Sequence, residues 1–407
     1  MSGQSTIDTR HLQRMTLFTN RDLNRLAVHS TLHQLAWAIS SAFSAVFLLR
    51  QGLSPAAIFL CLAAIIAARF AVRPAALATV RAIGLRSTLI IGTFLYGVQS
   101  PLLALVHGPG AALLIFCAVA ALAQAFYWTS YHAMFATIGD AASRGSQVGW
   151  REVLVGVAGI VGPAISGIML TVAGPGAAFG AAGVIEFAAI APLFGMIEPP
   201  PAPRTTQDAF FFYKRGALLL GSDGWIFNIS AWAWGLIMFR GLDARYDAFG
   251  GTLAAAALAG ALGGMVLGRF IDKGHARRAA WINAATLAGA LIAKAICGAD
   301  AVTIITVAVG TTALGGLYVP SLMTAIYNEA KASGSALRFH FAAEIGWDVG
   351  GSLACLTAAA LCAYGVSLQA VIALALPMVA VQAFLLDSSY ARRKSDIAPL
   401  GAELPGR

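Results

Sequence analysis

Apolar stretches of 18 or more residues recur along this 407-residue chain, and they constrain its fold more than any other feature. Each stretch is long enough to cross the roughly 30 Å hydrocarbon core of a bilayer as a helix. Only 11% of the residues are charged, whereas a soluble domain carries about 25%. Because lipid offers no hydrogen-bond partner to an open backbone, these stretches must be helical. The sequence therefore predicts an all-α integral membrane protein.

Turn-forming clusters divide the apolar sequence into twelve predicted transmembrane helices. Their predicted bounds are 29–49, 54–73, 87–107, 110–135, 152–173, 177–197, 216–239, 249–270, 279–298, 301–327, 342–363 and 367–387. These helices would form two pseudo-symmetric six-helix bundles, 29–197 and 216–388, joined by a central linker, 198–215. We expect a cytoplasmic N-terminal segment, 1–28, and a cytoplasmic tail, 389–407.

The distribution of Lys and Arg predicts the orientation of the bundle. With the N-terminus inside, 23 of the 27 basic residues fall on inner segments, and only Arg50, Arg240 and Arg245 fall on outer ones. This asymmetry is typical of cytoplasmic loops, and it accounts for the net charge of +9 without a nucleic acid partner. We expect a multi-pass protein of a bacterial inner membrane, with both termini cytoplasmic and lipid as its surroundings.

The two halves of the chain resemble each other. Arg50 follows the first predicted helix as Arg240 follows the seventh, and Arg69 ends the second as Arg269 ends the eighth. Parallel repeats about an axis along the membrane normal are an architecture of transporters, with the binding site between the repeats near the midplane. The repeat therefore predicts a site for a small molecule between the two halves.

The segment from Gly268 to Arg278, GRFIDKGHARR, resembles the loop signature of the major facilitator superfamily. It lies between the eighth and ninth predicted helices, where that family carries it, although its second glycine falls one place early. The first-half copy keeps Arg69 and Arg73 but lacks the acidic residue. The resemblance implies a charge latch confined to the second half. The residues to which it assigns gating are Gly268, Asp272, Lys273, Arg277 and Arg278.

A second resemblance lies in the fifth predicted helix, where small residues recur around a proline. The residues are Gly156, Gly159, Gly162, Pro163, Ser166 and Gly167, and they resemble the glycine–proline motif of antiporters in this superfamily. Glycines let helices approach closely and proline kinks them, so we expect Gly162 and Pro163 to take part in gating. The row Gly260, Gly264 and Gly268 is expected to face this helix. Generic small-residue packing is the alternative interpretation.

Polar residues inside the first and seventh predicted helices are candidates for substrate binding. They are His33, Gln34, Trp37, Asp223 and Asn228. A charge in the bilayer is costly and usually has a functional partner or a cavity. His33 and Asp223 occupy equivalent positions of the two halves, so we expect them to approach each other and bind substrate or carry a coupling proton. A structural pair or a water-bound polar cluster is the alternative.

Aromatic residues of the fourth and tenth predicted helices are further candidates. The fourth carries Gln124, Tyr127, Trp128, Tyr131 and His132 mostly on one stripe, and the tenth carries Tyr318. Such rings stack on planar or cationic organic solutes. Gln124, Tyr127, Tyr131 and Tyr318 are therefore predicted to bind substrate. An aromatic belt at the membrane interface is the alternative interpretation of the fourth helix.

Three acidic residues are candidate proton sites. Glu344 and Asp348 lie four residues apart and share a helix face. The alternative is that they make gating contacts with Lys273, Arg277 or Arg338. Glu186 lies midway along the sixth predicted helix, and the sequence suggests no partner for it.

The sequence carries no phosphate-binding loop, zinc-ligand spacing or nucleophile–base arrangement, so we expect no enzymatic activity, cofactor or metal. The resemblance implies a secondary transporter that works as a monomer by alternating access and uses an ion gradient. The preferred hypothesis is proton-coupled efflux of a small organic solute. Proton-coupled uptake and a non-transporting membrane sensor of the same fold remain open.

Overall fold

A computed structural model describes residues 20–138, 144–198, 209–271, 276–315 and 318–397. These residues form fifteen α-helices and one short 3₁₀ helix, and no strand occurs among them. The helices in chain order are α1 Arg21–Ile39, α2 Ser44–Arg50, α3 Pro55–Ile83, α4 Leu85–Ala104, α5 Ala111–Ile138, α6 Arg144–Val172, α7 Gly174–Phe194, α8 Ala209–Gly241, α9 Tyr246–Ile271, α10 Ala276–Ala295, α11 Ala301–Leu314, α12 Tyr318–Ala332, α13 Ala336–Ala363, α14 Leu368–Ala373 and α15 Leu376–Ile397.

The helices confirm the predicted all-α membrane fold. Within the described ranges, eight helical segments are long and apolar enough to cross a membrane, and Ala280–Ala295 and Ala301–Leu314 are shorter apolar helices. Each of the twelve predicted spans coincides with one helix or with two consecutive helices. The first begins at Arg21 instead of residue 29, because the Asn20 side chain accepts a hydrogen bond from the Leu23 N–H and caps the helix there.

Three predicted spans are divided between consecutive helices, and the first of them consists of α1 and α2 with the 3₁₀ helix between them. The tenth consists of α11 and α12, and the twelfth consists of α14 and α15. Pro320 and Pro377 lie in the first turn of α12 and α15, where a proline has no N–H to donate to the preceding turn. The spans predicted at 301–327 and 367–387 therefore each cover two helices.

The two halves meet mainly along two pairs of helices. Helix α3 packs against α13, and α6 packs against α9. The second crossing is close because it brings glycines together: a Cβ atom added to Gly250 would lie 3.0 Å from the Gly167 Cα and nearer still to the Pro163 carbonyl oxygen. Gly162 packs within its own half, where an added Cβ would lie 2.6 Å from the Ala38 Cβ.

The glycine row expected to face α6 is turned elsewhere. A Cβ atom on Gly260 would lie 3.0 Å from the Thr312 side chain of α11, and Gly156 and Gly159 of α6 have no atom within 4 Å of such a Cβ. Helix α9 contacts α6 near its beginning, at Gly250, and has turned towards α11 by Gly260. The expectation for Gly260 was therefore wrong.

We expect Gly250→Ala to lower the free energy of unfolding by about 1–3 kcal/mol, because the new methyl group would overpack the crossing of α6 and α9. The neighbouring Gly251 has no atom within 4 Å of an added Cβ, so Gly251→Ala is a matched control. The free energy of unfolding of this control is expected not to fall, because alanine has a higher helix propensity than glycine. Thermal unfolding of both variants in one detergent measures the difference, and equal transition temperatures would contradict the close crossing.

Candidate functional site

A cavity of about 340 Å³ lies between the two halves. Its size is within the range of about 300–1,000 Å³ that is typical of sites for small organic molecules. Its walls come from α1, α3, α5, α8, α12 and α13. The predicted site residues that line it are His33, Gln34, Trp37, Gln124, Asp223, Asn228 and Glu344.

Tyr127 and Tyr131 do not line the cavity, and their contact with substrate stays a prediction. Both are buried inside the N-terminal half, where the Tyr127 ring stacks on His33 at 3.9 Å between centroids and on Tyr131 at 5.5 Å. The cavity face of α5 instead carries Gln124, Trp128 and His132, which are spaced four residues apart. The residues predicted from the fourth helix therefore belong to two faces of α5, one buried in the N-terminal half and one lining the cavity. The packing of the helices decides which residue lies on which face.

His33 and Glu186 form a buried pair. His33 Nδ1 lies 2.7 Å from Glu186 Oε1, and both side chains are nearly inaccessible. A hydrogen bond of that length requires a proton between the two groups. One turn earlier on α1, His29 Nδ1 donates to the Ala189 carbonyl oxygen at 2.8 Å. The partner that the sequence did not suggest for Glu186 is therefore His33, whereas the expected approach of His33 to Asp223 stays a prediction.

Asp223 is held by neutral donors from the C-terminal half. The Tyr318 hydroxyl donates to Oδ1 at 2.5 Å, and the Trp347 indole N–H donates to Oδ2 at 3.1 Å. Gln382 Nε2 in turn donates to the Tyr318 oxygen at 3.0 Å. Asn228, one turn along α8, accepts a hydrogen bond from Trp232 at 3.1 Å. The contact of Tyr318 with the cavity is thus indirect, through its hydrogen bond to Asp223.

Four charged residues form an ionic cluster between α3 and α13: Arg69, Arg73, Glu344 and Asp348. Arg69 Nε donates to Asp348 Oδ1 at 2.6 Å, and Arg73 Nε donates to Asp348 Oδ2 at 2.7 Å. Arg73 also lies 3.4 Å from Glu344. All four side chains are almost fully buried. The cluster joins the two halves towards the end that is predicted to be cytoplasmic.

The ionic cluster gives Glu344 and Asp348 partners that the sequence did not suggest, namely Arg69 and Arg73. The alternative contacts with Lys273, Arg277 or Arg338, and the charge latch expected in the second half, stay predictions. Asp272 and Lys273 lie outside the described residues, and the side chain of Arg277 is not described either. Gly268 lies in α9, and Arg278 is exposed at the start of α10.

Two histidines continue the ionic cluster across the boundary between the halves. His132 of α5 stacks on His340 of α13 with 5.4 Å between ring centroids. His132 Nε2 lies 3.6 Å from Glu344. These two histidines therefore extend the contact between the halves at the end of the cavity where the ionic cluster lies.

Aromatic residues of the two halves pack on one another on the side of the predicted outer loops. This aromatic seal consists of Phe43 from the N-terminal half and Phe239, Tyr246 and Phe249 from the C-terminal half. The Phe43 ring lies 5.3 Å from the Phe249 ring and 6.5 Å from the Tyr246 ring. Beside it, Arg50 Nη1 donates to the Ala244 carbonyl oxygen at 2.6 Å. The sequence had marked Arg50 only as an outer basic residue and a repeat position.

Comparisons with known proteins agree with this architecture. A sequence model of the Major Facilitator Superfamily matches residues 26–355. No curated protein matches the chain in sequence.

Solved structures that match belong to membrane transporters. A mutant form of the nucleoside transporter NupG is 11% identical with a TM-score of 0.63, covering 90% of this chain and 99% of its own. The E. coli fucose:proton symporter FucP is 13% identical with a TM-score of 0.62, covering 90% and 98%. An auto-inhibited POT family peptide transporter is 12% identical with a TM-score of 0.64, covering 95% and 99%. At these identities the likeness shows the fold alone.

Proposed function

The chain belongs to the Major Facilitator Superfamily and is a secondary transporter, and from this premise we propose that it exports a small organic solute in exchange for protons. The observation that carries the proposal is the buried pair of His33, which lines the cavity, and Glu186 behind it. A histidine and a carboxylate that share one proton can take up or release another as the cavity faces each side of the membrane in turn.

Alternating access requires a closure at each end of the cavity. The aromatic seal supplies one and the ionic cluster the other, and both are made between the two halves. Rocking of the halves would break one closure while keeping the other, so that the solute site opens to one side at a time. The glycine crossing of α6 and α9 is the contact about which the halves would move.

Export is preferred because of the glycine–proline motif that includes Gly162 and Pro163. Proton-coupled uptake is the second candidate, since one protein of the same fold is a fucose:proton symporter. The same buried pair serves either direction. A sensor that binds solute without transporting it is the third candidate.

Flux measurements in proteoliposomes distinguish these functions. The purified chain is reconstituted with a pH-sensitive dye inside, and a panel of small organic solutes is added with and without an imposed pH gradient. A gradient of one pH unit supplies about 1.4 kcal/mol per proton, enough for about a tenfold solute gradient. Efflux predicts proton movement opposite to the solute. Parallel movement would indicate uptake, and solute binding without proton movement would indicate a sensor.

A further inference from the structure

Asp223 differs from the other carboxylates of the site in its partners. Asp348 contacts two guanidinium groups, Glu344 contacts one, and Glu186 contacts an imidazole. Asp223 contacts the hydroxyl of Tyr318 and the indole N–H of Trp347. Within the part of the chain that the structure describes, no cationic side chain pairs with Asp223.

The hydrogen bonds around Asp223 favour its ionised form. The Trp347 indole nitrogen can only donate, so Oδ2 accepts from it. Gln382 donates to the Tyr318 oxygen, which directs the Tyr318 hydroxyl proton towards Oδ1. Both carboxylate oxygens are therefore acceptors, and a protonated Asp223 would need a further acceptor for its own O–H. The surrounding donors fix a negative charge that faces the cavity.

A single negative charge within a membrane-spanning bundle is costly unless a cation or water compensates it. The arginine that lines the cavity, Arg69, is already held by Asp348 and donates to Gln124 at 2.9 Å. Asp223 lines the cavity and is half-buried, so a solute can reach it. A cationic solute would therefore supply the compensating charge that the described side chains do not.

Aromatic rings lie beside Asp223 in the same wall. The Phe227 ring is 6.2 Å from the Trp347 ring and 6.3 Å from the Trp232 ring, between centroids. All three side chains line the cavity. The Arg69 guanidinium lies 4.4 Å from the Trp347 ring centroid, so this wall already accommodates a cation against an aromatic face. Flat apolar groups stack on such a wall.

We propose that the solute is a monocationic organic amine with a flat apolar body, whose ammonium group binds Asp223 while its body lies against Phe227, Trp232 and Trp347. The ammonium N–H groups donate to the carboxylate oxygens alongside Tyr318 and Trp347. This inference rests on the proposed transport function and adds the charge class of its solute. An anionic solute would meet Asp223 as a like charge and would find Arg69 already paired.

Three probes of one shape and different charge test the proposal. They are 2-naphthylmethylamine, 2-naphthalenemethanol and 2-naphthoate, and their binding to the purified full-length chain is measured calorimetrically at neutral pH. We expect the amine to bind about tenfold or more tightly than the other two, because charge-assisted hydrogen bonds are the strong ones. Asp223→Asn is expected to reduce this preference to within about threefold, and Asp223→Glu to keep it.

Asp300→Asn is the matched control, because it removes one negative charge at an exposed helix cap where asparagine also caps. It is expected to keep the preference for the amine. Equal binding of the three probes, no binding of any, or a preference retained in Asp223→Asn would each overturn the proposal. Binding needs no gradient, so an amine preference stands even if proton-coupled flux fails. Proton-coupled flux of neutral solutes without amine preference would leave the transport function and overturn the cation site.

Discussion

Replacing Arg73 with methionine is expected to open the end of the cavity that the ionic cluster closes. Arg73 is fully buried and compensates Asp348 at 2.7 Å and Glu344 at 3.4 Å across the boundary between the halves. Removing one partner of a buried ion pair costs about 3–5 kcal/mol, and without Arg73 the two buried carboxylates of the ionic cluster share one arginine, Arg69. That cost falls only on the conformation in which α3 and α13 touch. The equilibrium should therefore shift towards the open conformation by at least about a hundredfold.

Cysteine labelling measures this shift. Ile326 is buried and lines the cavity, so an Ile326→Cys substitution in a variant without the five native cysteines provides the reporter. A membrane-impermeant maleimide should label it much faster when Arg73 is methionine. Arg81→Met is the control, since Arg81 lies on the same helix with an exposed side chain. Similar labelling rates in the two variants would show that the ionic cluster does not hold the halves together.

Replacing Glu186 with glutamine is expected to uncouple solute movement from the proton gradient. Glutamine has nearly the shape of glutamate and its carbonyl oxygen can accept from His33 Nδ1, but it cannot take up or release a proton. Solute accumulation driven by a pH gradient should fall about tenfold, to the level seen without a gradient. Solute exchange at equal pH should stay within about threefold of the unaltered protein, because Glu186 does not line the cavity.

Glu198→Gln controls for the loss of one carboxylate in the same half. Glu198 accepts hydrogen bonds from the Leu85 and Arg86 backbone N–H groups at the start of α4, and glutamine also accepts there. Proton-driven accumulation should persist in this variant. If Glu186→Gln accumulated solute as well as Glu198→Gln does, the coupling proton would have to bind elsewhere.

Bilayer thickness makes much of this fold predictable from sequence. The apolar length of a span and the basic residues beside it follow from the solvent on each side, so hydropathy located every helix to within a few residues at most ends. The spans predicted from hydropathy include Pro320 and Pro377 and give no sign of the helix boundary near each proline. A proline interrupts a helix without changing its apolarity.

The rotation of each helix about its own axis was not predictable in the same way. Tyr127 and Trp128 are adjacent in sequence, but one is buried in its own half and the other lines the cavity. Arg69 and Arg73 were counted as orientation signals, because a basic residue near a helix end has the same sequence signature whether it meets solvent or a carboxylate. Glu186 lies 153 positions from His33, and no local pattern connects them.

The two closures of the cavity differ in chemistry, and their thermodynamics should differ accordingly. The aromatic seal holds by keeping apolar rings out of water, so opening it carries a positive heat-capacity change and becomes easier on cooling. The ionic cluster holds by charge pairs instead of apolar rings, so the free energy of opening it depends much less on temperature. Cold should therefore favour the conformation that opens at Phe43 and Phe249, and the resting direction of the transporter would depend on temperature.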